Sequence, residues 1–273
     1  MKKKLILLFF AVLLIAACSK VSLFKSNSKM DQLNTSSTKN FISMLGATFK
    51  AVKMTYPNLY WKKLVDPDNK KSDFSEEYLA ALNLGSQLVD IGVAAYGKDW
   101  KTVNTISESI KTLSEKLGIK SSLEEQAVLL KEAIDKNDEK ETIKLIDEIK
   151  SIAEQNLDSL YKQDISSLIK CGAWITINNK ILNIINSYYS STACDTLLRV
   201  KSDVDVVQGS LVNIQDEKIS NSVQIKKSIN YIRVFSSVIN YPVINGRYSN
   251  VISKNNIENL TALSNDVVNS FKK

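Results

Sequence analysis

No histidine occurs anywhere in the 273 residues. That absence excludes Ser-His and Cys-His nucleophilic systems and removes the commonest ligand of zinc, iron and copper. Cysteine is nearly as scarce. Of the three in the chain, Cys18 belongs to the N-terminal leader, and Cys171 and Cys194 are too few for a cysteine-rich metal site. Neither a metal nor a cofactor is therefore expected. Two suitably spaced acids would suffice for glycoside hydrolysis, yet no acid pair stands apart from the ordinary charges of helical surfaces. No catalytic residue is assigned, and a non-enzymatic protein is the expectation. Eight glycines and three prolines supply little material for the tight turns of an all-β fold, so long helices joined by short polar loops follow.

The full chain carries 36 basic and 29 acidic residues. Lys2, Lys3 and Lys4 lie in the leader, however, and Lys20, Lys25, Lys29 and Lys39 sit with Asp31 in the segment after Cys18. From Asn40 onward, 29 basic residues face 28 acidic ones. The pI near 9.1 is thus a property of the leader and the segment behind it. A body near neutrality gives no electrostatic case for nucleic-acid binding. Lysine outnumbers arginine 33 to 3, a bias closer to AT-rich codon usage than to selection for a ligand.

What is present begins with the leader. Three lysines precede an apolar run from Leu5 to Leu14, which ends in Ile15-Ala16-Ala17-Cys18. Small residues before a cysteine suit a lipoprotein signal peptidase, and the Cys18 thiol is the nucleophile that accepts diacylglycerol. The run is too short to remain as a membrane-spanning helix. Residues 1–17 therefore read as a lipoprotein signal peptide, with Cys18 carrying diacylglycerol and an N-acyl chain such as palmitate. Residues 19–39, rich in Ser, Lys, Asn and Thr, read as a flexible tether. The address is the bacterial cell envelope. Ser19 and Lys20 form no acidic export-like cluster, which favours an outer-membrane anchor facing the periplasm over display at the cell surface.

Residues 40–273 read as one helical domain. Phe41, Met44, Leu45, Thr48, Phe49 and Val52 recur at three and four, giving a helix over 40–56 that Pro57 closes. After a loop with Pro67, Asp68 and Asn69, Ser75 or Asp73 is the expected cap of a helix running to about Tyr96. Between Glu77 and Lys98 its one charge is Asp90. Ala81, Leu84, Leu88, Ile91 and Ala95 form one stripe and Tyr78, Leu82, Val89, Val93 and Tyr96 an adjoining one, so several neighbours should surround this helix. Gly85 and Gly92 would let one of them approach closely. Further helices are expected from Trp100 to Leu117, ended by Gly118 at C′, from a Ser121 or Ser122 cap to Asp135, and beyond the Lys136-Asn137-Asp138 link to Leu160. Residues 164–188 form a second core candidate, with Gly172 and Ala173 suited to close packing. Asn178, Asn179, Asn183 and Asn186 need partners wherever they are buried. Beyond Ser190, helices are read over 197–214, 219–239 and 257–271, with a loop around Gly246 at 243–248.

Asn83, Gln87 and Asp90 cluster on one narrow face of the first core helix. They are either the wet or loop-satisfied side of a buried helix, or the wall of a small-molecule pocket between the two core helices lined by Asn83, Asp90, Tyr96 and Trp174. If 164–188 is continuous, Cys171 lies about 25 Å of helix rise from its end, too far from Cys194 for a bridge. Buried thiols are expected, with an intermolecular bridge through Cys194 as the alternative.

Leu84-Gly85, Ala94-Ala95-Tyr96 and Asp99-Trp100 are similar to the tetratricopeptide pattern. The turns at Gly97 and Asn137 fall 40 residues apart, however, against a repeat of about 34, so helix pairs without a true repeat are expected. Ala81-Leu82-Asn83-Leu84-Gly85, Asp90, Ala94-Ala95-Tyr96, Leu117-Gly118-Ile119 and Gly172-Ala173-Trp174-Ile175 together resemble uncharacterised all-helical lipoproteins of the Bacteroidetes. That resemblance spans residues 74–185 and departs at Gln87 and Ile91, where bulkier neighbours of the acid would be expected. It implies an all-α fold, a multi-helix bundle or superhelical array of antiparallel helix pairs, and an envelope location, with no activity attached. The reading is of a macromolecular interaction or structural module, bound to the membrane through its lipid and to a protein partner, with no nucleic acid.

Overall fold

Asp90 is the one charged residue between Glu77 and Lys98, and the helix that this segment forms is the centre of the fold. The computed structural model describes residues 44–66, 69–198, 201–239, 243–244, 247–248 and 251–273. Cys18, the tether, Pro67, Asp68, Pro242 and Gly246 lie outside the described residues.

The elements in chain order are α1 (Met44–Thr55), a 3-10 turn (Trp61–Leu64), α2 (Glu77–Tyr96), α3 (Trp100–Leu117), a 3-10 turn (Lys120–Leu123), α4 (Glu124–Asp135), α5 (Glu139–Ser159) and α6 (Gln163–Ser187). There follow α7 (Ser191–Leu198), α8 (Lys201–Val212), α9 (Glu217–Ser220), α10 (Val223–Ile239), β1 (Val243–Ile244), β2 (Arg247–Tyr248) and α11 (Lys254–Phe271). The fold is all-helical. The expected loop at 243–248 instead carries a two-residue antiparallel ladder, Val243 opposite Tyr248 and Ile244 opposite Arg247. The helix expected over 197–214 is represented by α7 and α8, and the one expected from Ile219 starts at Val223, after the single turn of α9.

Every residue of α2 from Leu79 to Ala95 is buried. By length and composition α2 would cross a membrane, but it is the core helix of this body. Removal of Leu82, Leu84 and Leu88 from water stabilises the fold by about 1.5–3 kcal/mol each. α6 is buried without a break from Cys171 to Leu182.

These two helices run side by side in parallel. Leu82 lies beside Gly172, Ser86 beside Thr176 and Asp90 beside Lys180. The central pair is therefore not antiparallel, because α3, α4 and α5 intervene and return the chain to its starting end. The missing Cβ atoms set the spacing. One built on Gly85 would lie 2.0 Å from the Ile169 carbonyl oxygen, and one on Gly172 would lie 2.1 Å from that of Leu82. α11 packs antiparallel to α6, with Thr261 at Leu182 and Ser264 at Asn179. α10 in turn packs antiparallel to α11 through Gln224 to Ser270 and Lys227 to Asp266.

Local signals fix most helix ends. Asp99 accepts from the Thr102 N–H at 3.3 Å, Gly118 takes a left-handed φ of 75°, and Asp138 accepts from the Glu141 N–H at 3.0 Å. Ser253 and Asn256 form a capping box that starts α11. Two expected caps are not used. Glu76 stands at the N-cap of α2 and makes no side-chain capping hydrogen bond. Lys218 and Lys162 instead neutralise Glu76 and Glu77, at 2.7 and 2.5 Å, and the two acids complement the helix dipole. α4 begins from a 3-10 turn, and Ser122 donates to Asn156 Oδ1 at 2.8 Å across the α4–α5 hairpin.

Candidate functional site

The polar face of α2 is read outward from its charge. Asp90 is fully buried. Its Oδ1 stands 2.8 Å from Lys180 Nζ on α6, and its Oδ2 accepts from Asn69 Nδ2 at 2.5 Å. The same amide donates to Ser86 Oγ at 2.9 Å, and Thr176 Oγ1 donates to that oxygen at 2.9 Å. Five side chains from α2, α6 and the preceding loop thus form one network of balanced charge. It can fix the register of two parallel helices, since a one-turn slip would strand a buried charge.

The rest of the face is taken up by backbone. Gln87 Nε2 donates to the Lys71 carbonyl at 2.8 Å. Asn83 Nδ2 donates to the Leu79 carbonyl at 2.8 Å and to that of Phe271, at the end of α11, at 2.6 Å. The amide nitrogens of this face thus meet loop and helix carbonyls, whereas Asn83 Oδ1 and Gln87 Oε1 stay buried with no hydrogen-bond partner among the described residues.

The four residues expected to line a pocket lie in separate neighbourhoods. Tyr96 stacks on Trp61 with centroids 4.9 Å apart and meets Phe49 edge-on at 5.2 Å. Trp174 packs edge-on against Phe235 at 5.3 Å and beside Tyr231 at 6.1 Å, towards α10. Asn83 serves α11, and Asp90 serves Lys180 and Asn69. The glycine contact explains the divergence, because it brings the backbones of α2 and α6 together where the pocket would have opened.

Further buried ions escaped the sequence reading. Lys150 and Glu154 on α5 pair at 2.5 Å with side chains 1% and 0% exposed. Their spacing of four was a signal, but one shared with exposed Lys144–Glu148 on the same helix and with Lys131–Asp135 and Lys136–Glu132 at α4. One turn earlier, Asp147 has a buried Oδ1 with no hydrogen-bond partner. Burial pushes its carboxyl up to about 7, against the pull of the Lys150 charge. Asn179, one of the polar intrusions on α6, donates to Ser264 Oγ at 3.0 Å and Asn265 Oδ1 at 2.7 Å.

Cys171 and Cys194 are both buried, and no disulfide occurs among the described residues. Burial pushes the Cys171 thiol up to about 12, with Ser228 opposing as a hydrogen-bond partner. Burial of Cys194 takes away the surface position that an intermolecular bridge needs. Among the described residues no group of three acids or thiols is placed to hold a metal ion. No protein-family model, curated protein or solved structure matches the chain.

Proposed function

We propose that the chain is a lipid-anchored protein of the bacterial cell envelope that works through a protein partner or a structural role, without catalysis. The observation that carries this reading is the leader: three lysines, a short apolar run and Ile15-Ala16-Ala17-Cys18. The helical body supports it in a different way. Its interior acids and lysines are largely spent on one another, as Asp90 is on Lys180 and Glu154 on Lys150, so the outer surface is what the protein offers to others. The anchor sits in the outer membrane with the body in the periplasm.

Membrane fractionation with a Cys18→Ala control, together with protease treatment of intact and lysed cells, tests the reading. The wild type is expected in the membrane fraction and protected until lysis, with Cys18→Ala lost from that fraction. Crosslinking in intact cells then identifies the partner. A Cys18→Ala protein retained in the membrane fraction like the wild type overturns the anchor. Turnover of a substrate that is lost on replacing one carboxylate overturns the absence of catalysis.

A further inference from the structure

Charge along the chain is segregated. Between Ser19 and Val65 there are eight lysines and a single acid, Asp31, whereas from Asp66 to the end 25 basic residues face 28 acidic ones. Four of the eight lysines belong to the described body. Lys50 and Lys53 lie with Met54 on the exposed side of α1, and Lys62 and Lys63 project from the 3-10 turn beside exposed Tyr60. Met54 and Tyr60 are 75% and 60% exposed. The opposite side of the element is fixed to the core: Phe49 and Val52 are buried, and Trp61 stacks on Tyr96. Tyr56 extends the same end of the molecule, where its hydroxyl donates to the Tyr188 carbonyl at 3.1 Å and Tyr188 is itself exposed. Of the four lysines, Lys53 alone has an ion-pair partner among the described residues, Glu139 at 4.0 Å.

We infer that this face, carried by Lys50, Lys53, Met54, Tyr60, Lys62 and Lys63, docks on an anionic lipid surface. Lysine ammonium groups are drawn to the negative potential of such a surface. Tyrosine and methionine beside them suit the headgroup boundary, where a ring or thioether leaves water while polar ends stay wet. The partner is fixed by charge complementarity and by where the chain leads. The segment from Cys18 to Met44, extended, reaches at most about 90 Å, so an anchor alone leaves the body free to stand off the bilayer. A cationic face on the first helix after that segment brings it down. This rests on the lipid-anchor reading for its cellular setting only; the docking itself is a property of the body.

The test therefore uses the chain from residue 18 with Cys18→Ser and no acyl groups, sedimented with vesicles of phosphatidylglycerol and phosphatidylcholine. Binding that weakens with added salt and is absent on pure phosphatidylcholine is expected. Replacing Lys50, Lys53, Lys62 and Lys63 by Gln should weaken it at least about tenfold, with an unchanged thermal midpoint. Removing the same number of charges elsewhere, at Lys111, Lys131, Lys136 and Lys140, should leave it intact. The inference is overturned if the wild type ignores anionic vesicles, if both sets lower binding equally, or if only loss of Lys20, Lys25, Lys29 and Lys39 abolishes it. It is also overturned if Tyr60→Ser dissolves a dimer in solution without changing vesicle binding. A failure of Cys18 acylation in cells would leave this result standing, so the two readings fail separately.

Discussion

Gly85 and Gly172 face each other across the two central helices, and each would strike the carbonyl three residues before the other, that of Ile169 or of Leu82. The contact is nearly two-fold in its logic, because equivalent steps on two parallel helices are made without side chains.

Alanine at either glycine should cost about 3 kcal/mol or more, since the obstacle is backbone on both sides and cannot rotate away. Gly209 on α8 is the control, as a Cβ there meets nothing within 4 Å. Gly209→Ala should be neutral or stabilising by about 0.5–1 kcal/mol. Denaturant titration of the three variants checks this, and equal midpoints would remove the glycines from the account of the parallel crossing.

Asp90 and Lys180 should behave as a unit. Asp90→Ala or Lys180→Ala strands one buried charge and should cost about 3–5 kcal/mol. The double variant should cost clearly less than the sum. Strict additivity in the cycle would show that the two ions do not depend on one another.

Asp147 makes stability depend on pH. Its carboxyl is raised to about 7 in the folded chain and has an ordinary value near 4 when unfolded. The folded state thus holds the proton more tightly, so stability falls as pH rises from about 4 to about 7 and levels off above that. Asp147→Asn should flatten this slope and raise the thermal midpoint at pH 8 by a few degrees, on the order expected for about 1 kcal/mol in a domain of this size. Unfolding curves of the two proteins that keep the same slope would exclude Asp147 as its source.

Thiol counting with a chromogenic disulfide separates the three cysteines. In unacylated protein Cys18 should react at once, whereas Cys171, pushed up to about 12 by burial, and buried Cys194 should react only in denaturant. Rapid reaction of a second thiol in the native protein would contradict their burial.

The helices were legible because their apolar spacing runs through nearly the whole body. Both core helices stood out by lack of charge, and the central ion pair was half visible: Asp90 is the lone charge of one apolar run, and Lys180 is the lone charge between Cys171 and Cys194. Periodicity names a face without naming what covers it, so nothing in the spacing joined those two ions or showed that Trp174 turns towards Phe235. The caps expected at Ser75 and Ser122 are not made: Glu76 stands at the N-cap of α2 without a capping hydrogen bond, and the Ser122 hydroxyl is given to Asn156 on α5. The pocket reading treated Asn83, Asp90, Tyr96 and Trp174 as one wall, but residues on two helices share a wall only where the helices are held apart.

The parallel crossing also puts the chain on a clock. Ser86 and the Thr176 it meets are separated by 90 residues, so α2 leaves the ribosome about 5–18 s before its partner at ordinary synthesis rates. Through that interval α2, the most apolar of the described helices, has α3 against it but lacks α6, and closing so long a loop is a slow step in folding. Until α6 arrives, the stripe of α2 around Gly85 that the Ile169 and Ala173 backbone will cover stays open.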